Sequence, residues 1–170
     1  QGDTVKAMVP VSVQAPGSEW GNRIAFVFLD LPCHEEDPVW RLRDIHVAMR
    51  DRKRGGVPEG SDAVLGALAL APRSLRRVAS KVIASPQLSN LTISNIPGPQ
   101  VPVYLMGCRA VRAYPVVPLT DRHRLSIGMT TIHERACFGV YAQADLAADA
   151  DRIAAAIGDE IGALLERAAP

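Results

Sequence analysis

The stretch NLTISNIPGPQVPVYLMG, residues 90–107, decides how this chain is read. Its first part, residues 91–96, alternates as a half-buried strand does. Its centre is a stop made of Pro97, Gly98 and Pro99. Proline suits the second position of a turn, and glycine supplies the positive φ that the third position of a type II turn requires. Pro97 also keeps Ile96 extended, so the strand cannot run on as a helix. The sequence therefore predicts a strand ended by a type II turn at Pro97-Gly98 and stiffened on exit by Pro99. Ser94 and Asn95 stand just before the stop, and neighbours on a strand point to opposite faces. Two readings of the pair follow. One is a stiff corner whose polar groups cap their own backbone. The other is a preorganised polar group at the mouth of a ligand channel.

Outward from this stretch the pattern is strands, then helices, then strands again. Residues 5–13, VKAMVPVSV, read as a strand in which Pro10 points to an edge or a bulge. Residues 22–31, NRIAFVFLDL, read as a second strand, its apolar run buried on both faces. Asp37-Pro38 starts a helix with a capping side chain followed by proline at the first helical position. Val39, Leu42, Ile45 and Met49 recur at helical spacing, and Gly55-Gly56 ends the helix. Ser61 or Asp62 can cap a second helical region, Pro72 breaks it, and a third segment covers residues 73–84. Strands are expected at residues 91–96, 103–106, 110–117, 124–132 and 136–142, with His133-Glu134-Arg135 a hairpin connection of no clear turn type. Asp149 is expected to cap a last helix whose Ile153, Ile157, Ile161, Leu164 and Leu165 share one face. The fold class is α+β, one domain over residues 1–170, with a mixed, mostly antiparallel sheet packed against helices.

Composition narrows the function. With 48% apolar and 22% charged residues in 170, the chain can bury a core and is not a disordered segment. A net charge of +1 argues against a nucleic-acid partner, which calls for a concentrated basic stripe. The one basic cluster, Arg50, Arg52, Lys53 and Arg54, closes the first helix, where cations complement the helix dipole; the alternative is an anion or phosphate site. Cys33, Cys108 and Cys137 form no closely spaced pair, which points to reduced thiols and a cytosolic setting. There is no apolar run of about 18 residues to span a membrane, and the start has no signal-peptide character. The chain opens almost on a strand, without an initiator Met, and reads as a piece of something longer.

Familiar catalytic signatures are missing. No P-loop, dinucleotide fingerprint or nucleophile elbow occurs. His34, His46, His123 and His133 include no pair four residues apart, so no helical two-histidine metal site can be drawn. His133 and Cys137 flank the predicted hairpin turn and read as ordinary hairpin residues, with a Cys-His couple as the competing reading. His123 reads as a loop histidine and His46 as a helix boundary residue. Glu35, Glu36 and Asp37 precede a helix N-terminus, whose dipole favours acids, and this accounts for them better than a carboxylate site does.

Six blocks carry a resemblance. MVPVSV (8–13), GNRIAFVFLDLP (21–32), DPVWRLRDI (37–45), NLTISNIPGP (90–99), VYLMGCRAVRAYPVVPL (103–119) and FGVYAQAD (138–145) occur in that order. Together they resemble the C-terminal half of the bacterial wax ester synthase/acyl-CoA:diacylglycerol acyltransferase family, over nearly the whole chain. That family looks like chloramphenicol acetyltransferase and the condensation domains, with two similar halves enclosing a channel. The resemblance implies transfer of a fatty acyl group from acyl-CoA to diacylglycerol or a long-chain alcohol, with acyl-CoA as substrate and no separate cofactor.

It also implies a His-His-x-x-x-Asp-Gly motif in the N-terminal half, whose second histidine deprotonates the acceptor hydroxyl. No His-His pair exists here. The chain is therefore expected to hold no catalytic residue, to be inactive alone, and to need the N-terminal half as partner. The family's Ser-Asn-x-Pro-Gly-Pro motif carries onto Ser94, Asn95, Pro97, Gly98 and Pro99, framing the channel. The implied location is cytoplasmic, extending to the periphery of a membrane or lipid droplet. A non-catalytic lipid-binding or protein-interaction module on the same fold is the alternative, and the acceptor stays open.

Overall fold

The structure is a computed structural model that describes residues 5–12, 24–54, 72–74, 89–119 and 123–168. Seven strands are described: β1 (Val5–Ser12), β2 (Ile24–Leu31), β3 (Leu91–Ile96), β4 (Tyr104–Leu105), β5 (Cys108–Arg109), β6 (Leu125–Ile132) and β7 (Arg135–Ala142). Two long helices accompany them, α1 (Pro38–Arg54) and α2 (Ala147–Ala168), the second preceded by a 3-10 turn at Ala144–Leu146. The expected helical segments between Ser61 and Ala84 lie outside the described residues, apart from residues 72–74.

Five strands form one sheet in the order β2-β1-β3-β6-β7, while β4 and β5 make a separate ribbon. β1–β2 and β6–β7 are antiparallel, as is the ribbon, and the central β1–β3 and β3–β6 pairings are parallel. The sheet is thus mixed, and antiparallel pairing predominates overall. Pro10 is accommodated because β1 pairs with β3 only at Ala7 and Met8; beyond that point β1 is already an edge on that side.

The expectation that β2 is buried on both faces is corrected. It is an edge strand, and only Ala25, Val27 and Leu29 are buried. The outer edge of β2 is blunted by Arg52 of α1, whose guanidinium donates to the Phe28 carbonyl. That gives one member of the basic cluster a structural partner.

Cross-strand register sorts the sheet into two faces. Ala7, Ala25, Val27, Leu29 and Leu91 form the apolar core on one of them. The face of α1 that packs is made by half-buried Arg41, Ile45, Ala48, Met49 and Arg52; Val39 and Leu42, expected in the stripe, are exposed. Asp37 caps α1 as expected, accepting from Val39 N at 2.8 Å and Trp40 N at 3.2 Å. These two backbone donors, with Arg167 of α2 close by, hold its carboxyl below the usual range. Arg41 staples the region, donating to the Glu35 and Glu36 carbonyls and to Glu160 of α2.

Asp149 is not the cap of α2: the helix begins at Ala147, and Asp149 lies in its first turn, 3.4 Å from Arg152. The approach to α2 is fixed instead by Arg124, which pairs with Asp145 and accepts a bond from Gln143 N at its carbonyl. On α2, Ile153, Ile157 and Leu164 are half-buried, whereas Ile161 and Leu165 remain exposed.

The opposite face of the sheet is covered by a strap, residues 111–119. The expected strand at residues 110–117 is not one. These residues are extended but join no ladder, because they cross the sheet surface instead of extending its edge. Their seat is a pair of glycines, Gly128 and Gly139, which stand directly opposite each other across β6–β7. A side chain on Gly128 would meet Val117 Cγ2 at 2.8 Å and Pro115 Cγ at 2.9 Å, and one on Gly139 would meet the Pro115 carbonyl. Ser126 fastens the strap by donating to the Val117 carbonyl at 2.6 Å.

Candidate functional site at the end of the central strand

β3 is the middle strand of the sheet, so its C-terminal end is surrounded by structure on both sides. There Ser94 pairs with Gly128 and Asn95 with Met129, placing the two side chains on opposite faces. Ser94 is half-buried on the strap face. Asn95 is exposed on the other face, which it shares with Met129 and Phe138. Among the described residues neither side chain finds a hydrogen-bond partner in the chain.

The stop that follows works differently from the expected turn. Gly98 does not adopt a positive φ, and no turn occurs at Pro97-Gly98. The segment stays extended and runs on over the end of β6. The reason lies in its hydrogen bonds. Pro97 and Pro99 have no N–H, so the parallel ladder cannot continue past Ile96–Thr130. Thr130 closes it with its side chain, donating Oγ1 to the Ile96 carbonyl at 2.6 Å. Three residues on, His133 N donates to the Pro99 carbonyl at 2.8 Å. Gly98 is required for contact: a β-carbon there would press into the Thr131 carbonyl, inside the 3.0 Å limit of real approaches. The motif is a ladder terminator laid flat on a neighbouring strand, and the chain bends only at Gln100 and Val101.

The β6–β7 turn lies at this same end. His133 has φ 53° at the first of its two central positions. Across from it, Arg109, Ala110 and Val111 complete a small polar cleft of about 170 Å³ with Ile132, His133, Glu134 and Arg135. His133 and Cys137 do not form a couple. Cys137 is buried and paired with Thr130, whereas His133 belongs to the turn, 3.9 Å from Glu134.

His123 is where sequence reasoning missed most. It is a loop residue by position but is fully buried, with Ser89 Oγ 2.8 Å from Nε2 and Thr92 Oγ1 3.1 Å from Nδ1. Both hydroxyls can donate or accept, so a neutral ring is satisfied in either tautomer. Burial pushes its pKa down, opposed by a hydrogen bond to the Ser89 backbone. It ties the entry to β6 to the start of β3, a structural role. His46 is exposed on α1. A shallow apolar trough of about 360 Å³ runs along α2 beside Phe138.

The Ser89–His123 contact sets a hydroxyl beside an imidazole, but both side chains are fully buried, and among the described residues no group of three His, Cys, Asp or Glu could hold a metal. No described helix is long and apolar enough to cross a membrane. The described architecture, a motif-bearing strand end beside exposed apolar chain, is one half of a two-domain α+β fold.

Residues 20–165 match the family model of the WS/DGAT C-terminal domain, and the chain belongs to that family. It is 30% identical over 167 residues to a probable diacylglycerol O-acyltransferase of Mycobacterium tuberculosis, covering 96% of this chain and 36% of the relative. It is 33% identical over 138 residues to an O-acyltransferase of Acinetobacter baylyi, covering 79% of this chain and 30% of the relative. The wax ester synthase/diacylglycerol acyltransferase structure from Marinobacter aquaeolei superposes with a TM-score of 0.68 at 26% identity, over 97% of this chain and 37% of that one. The chain thus spans about a third of the relatives' length.

Proposed function

We propose that this chain is the C-terminal half of an acyl-CoA-dependent O-acyltransferase acting on diacylglycerol or a long-chain alcohol. It forms one wall of the acyl and acceptor channel. The N-terminal half carries the His-His-x-x-x-Asp-Gly motif and supplies the base. That base takes the acceptor's hydroxyl proton, the oxygen attacks the thioester carbonyl, and CoA leaves as the thiol. An acyl chain needs a long apolar tunnel, and such sites form at domain interfaces. The trough along α2 is too shallow to serve alone. Substrates of this class are drawn from lipid, which suits an enzyme working in the cytoplasm, peripherally at a membrane or lipid droplet.

The observation that carries the reading is Asn95: a carboxamide at the end of the central strand, exposed and unpartnered among the described residues, directly before the family motif's rigid stop. A polar group so placed is available to something outside this half. The test is CoA release from palmitoyl-CoA, with hexadecanol and with dioleoylglycerol. A protein containing both halves is expected to turn over with at least one acceptor, and this chain alone with neither. Silence from both halves together would support a non-catalytic module, and turnover by this chain alone would place the base within it.

A further inference from the structure

We propose that the outward side of α1 is a docking surface for an anionic phospholipid membrane, and that the helix lies flat among the headgroups. This deepens the reading above and rests on it for the lipid source of the acceptor.

Trp40, Arg43, Val47, Arg50 and Arg54 follow one another at steps of three and four residues, so they fall on one line along the helix. All five are exposed. The line points away from the sheet, because half-buried Arg41, Ile45, Ala48, Met49 and Arg52 occupy the packed side. From Trp40 to Arg54 it runs about 21 Å at the helical rise. Val39 and His46 border it on one flank, Asp44 and Asp51 on the other.

Helix physics alone accounts for only part of this. Lys53 and Arg54 lie in the last turn, where cations complement the dipole, and Arg52 has its partner in the Phe28 carbonyl. The dipole's influence fades beyond that turn, so it does not call for Arg43 or Arg50. Nor does it call for Trp40, 53% exposed beside Val39 at 44% and Val47 at 36%. Arg43 stands over the Trp40 ring, its guanidinium carbon 4.9 Å from the centroid, and this cation–π contact keeps the ring at the surface.

The mixture of side chains chooses the occupant. A protein interface gathers apolar residues at its centre and leaves charge to the rim. Here arginines alternate with apolar residues down the middle of the line. A headgroup layer accepts that alternation. Tryptophan sits at the interface, the valines reach the acyl boundary, and arginine stems lie along apolar surface while their guanidinium groups stay with the phosphates.

Charge gives the sign. The exposed surface of α1 carries four cations, Arg43, Arg50, Lys53 and Arg54, against two acids. Asp51 is already taken, 3.5 Å from Arg50. Among the described residues neither Arg43 nor Arg54 has an acid partner. Guanidinium groups so placed are complementary to phosphate.

The experiment is flotation of the protein containing both halves with vesicles of phosphatidylcholine, with and without phosphatidylglycerol. Binding is expected with phosphatidylglycerol and to weaken as salt is raised. Arg43→Gln, Arg50→Gln and Arg54→Gln together are expected to raise the apparent Kd at least about tenfold, since each basic residue near an anionic surface contributes to binding. Lysine at the same three positions should restore it. Trp40→Ser alone should raise the Kd by about threefold or more, through lost apolar contact. Melting temperatures accompany each variant, and if the glutamine variant melts lower, Trp40→Ser decides.

No binding to either vesicle overturns the proposal, as does equal binding to both. Binding that ignores the arginines and Trp40 places the membrane contact elsewhere and overturns it too. An arginine-dependent dimer in sedimentation, without vesicle binding, assigns the face to a second copy and overturns it equally. CoA release from palmitoyl-CoA with detergent-dispersed hexadecanol is followed on the same proteins. Turnover with arginine-independent binding rejects the α1 surface alone, and arginine-dependent binding without turnover rejects the acyltransferase reading alone.

Discussion

Gly98 lies on the Thr131 carbonyl so closely that any β-carbon at position 98 would overlap it. The clashing atom is backbone near the end of a paired strand, so it cannot swing aside as a side-chain tip would. Gly98→Ala is expected to lower stability by about 1–3 kcal/mol, the usual cost of overpacking. Gly162 in α2 is the control, with nothing within 4 Å of its own β-carbon position. There alanine is expected to be neutral or stabilising by up to about 1 kcal/mol. Urea unfolding of the two variants checks this; equal shifts would refute the contact argument.

Thr130 gives a second test of how the motif ends its ladder. Its hydroxyl donates to the Ile96 carbonyl at the last pair of the β3–β6 ladder, which Pro97 cannot extend. Thr130→Val keeps the shape and removes the donor, at an expected cost of about 0.5–1.5 kcal/mol, the net worth of one hydrogen bond at a part-buried carbonyl. Thr130→Ser keeps the donor and should recover part of that loss. Unfolding midpoints that rank valine equal to serine would show that the bond does not matter.

His123 makes the fold sensitive to acid. Its folded pKa lies below the ordinary histidine value of 6.5, so below that pH the unfolded chain binds a proton that the folded chain resists. Its contribution is complete above pH 6.5 and is lost as pH falls toward the folded pKa, with a slope of at most about 1.4 kcal/mol per pH unit for one proton. His123→Gln retains hydrogen-bonding groups without the titration and should flatten that slope. Denaturation series from pH 7 to 5 decide it; an unchanged slope in the variant clears His123 of the effect. Asp37, whose pKa is lowered from 3.8, acts in the same direction only in stronger acid.

Much of this was legible in the residues, because periodicity and caps are local. The Asp37-Pro38 start of α1, the alternation of β3 and the long strands around His133 all follow from neighbours in sequence. What escaped was set by partners far away in the chain. Pro-Gly-Pro reads as a type II turn until Thr131, more than thirty residues on, is known to lie beneath Gly98. Residues 110–117 have strand character, but whether an extended segment joins a ladder or crosses a face depends on the floor it meets, here Gly128 and Gly139. His123 looks like a surface loop residue because nothing in its neighbourhood announces Ser89 and Thr92.

Asn95 is the last and most direct test of the proposed function. If its role were to cap its own strand end, its carboxamide would be bonded to nearby backbone, and among the described residues no such bond exists. The strand end is already closed by Thr130 and by His133 N, so no capping task remains for it. Its backbone is fixed by β3 pairing and by the stop that follows, so its direction costs little entropy to hold. We propose that it bonds across the channel, to substrate or to the backbone that positions the partner half's base; a carboxamide can donate and accept at once. Asn95→Ala in the two-half protein is expected to lower kcat by about tenfold to a thousandfold, the range for losing one preorganised polar contact. Stability should move by no more than about 0.5 kcal/mol, as for an exposed side chain without partners. The decisive comparison is kcat against melting temperature for this one variant. Intact turnover, or a loss that merely tracks unfolding, would return Asn95 to a structural role.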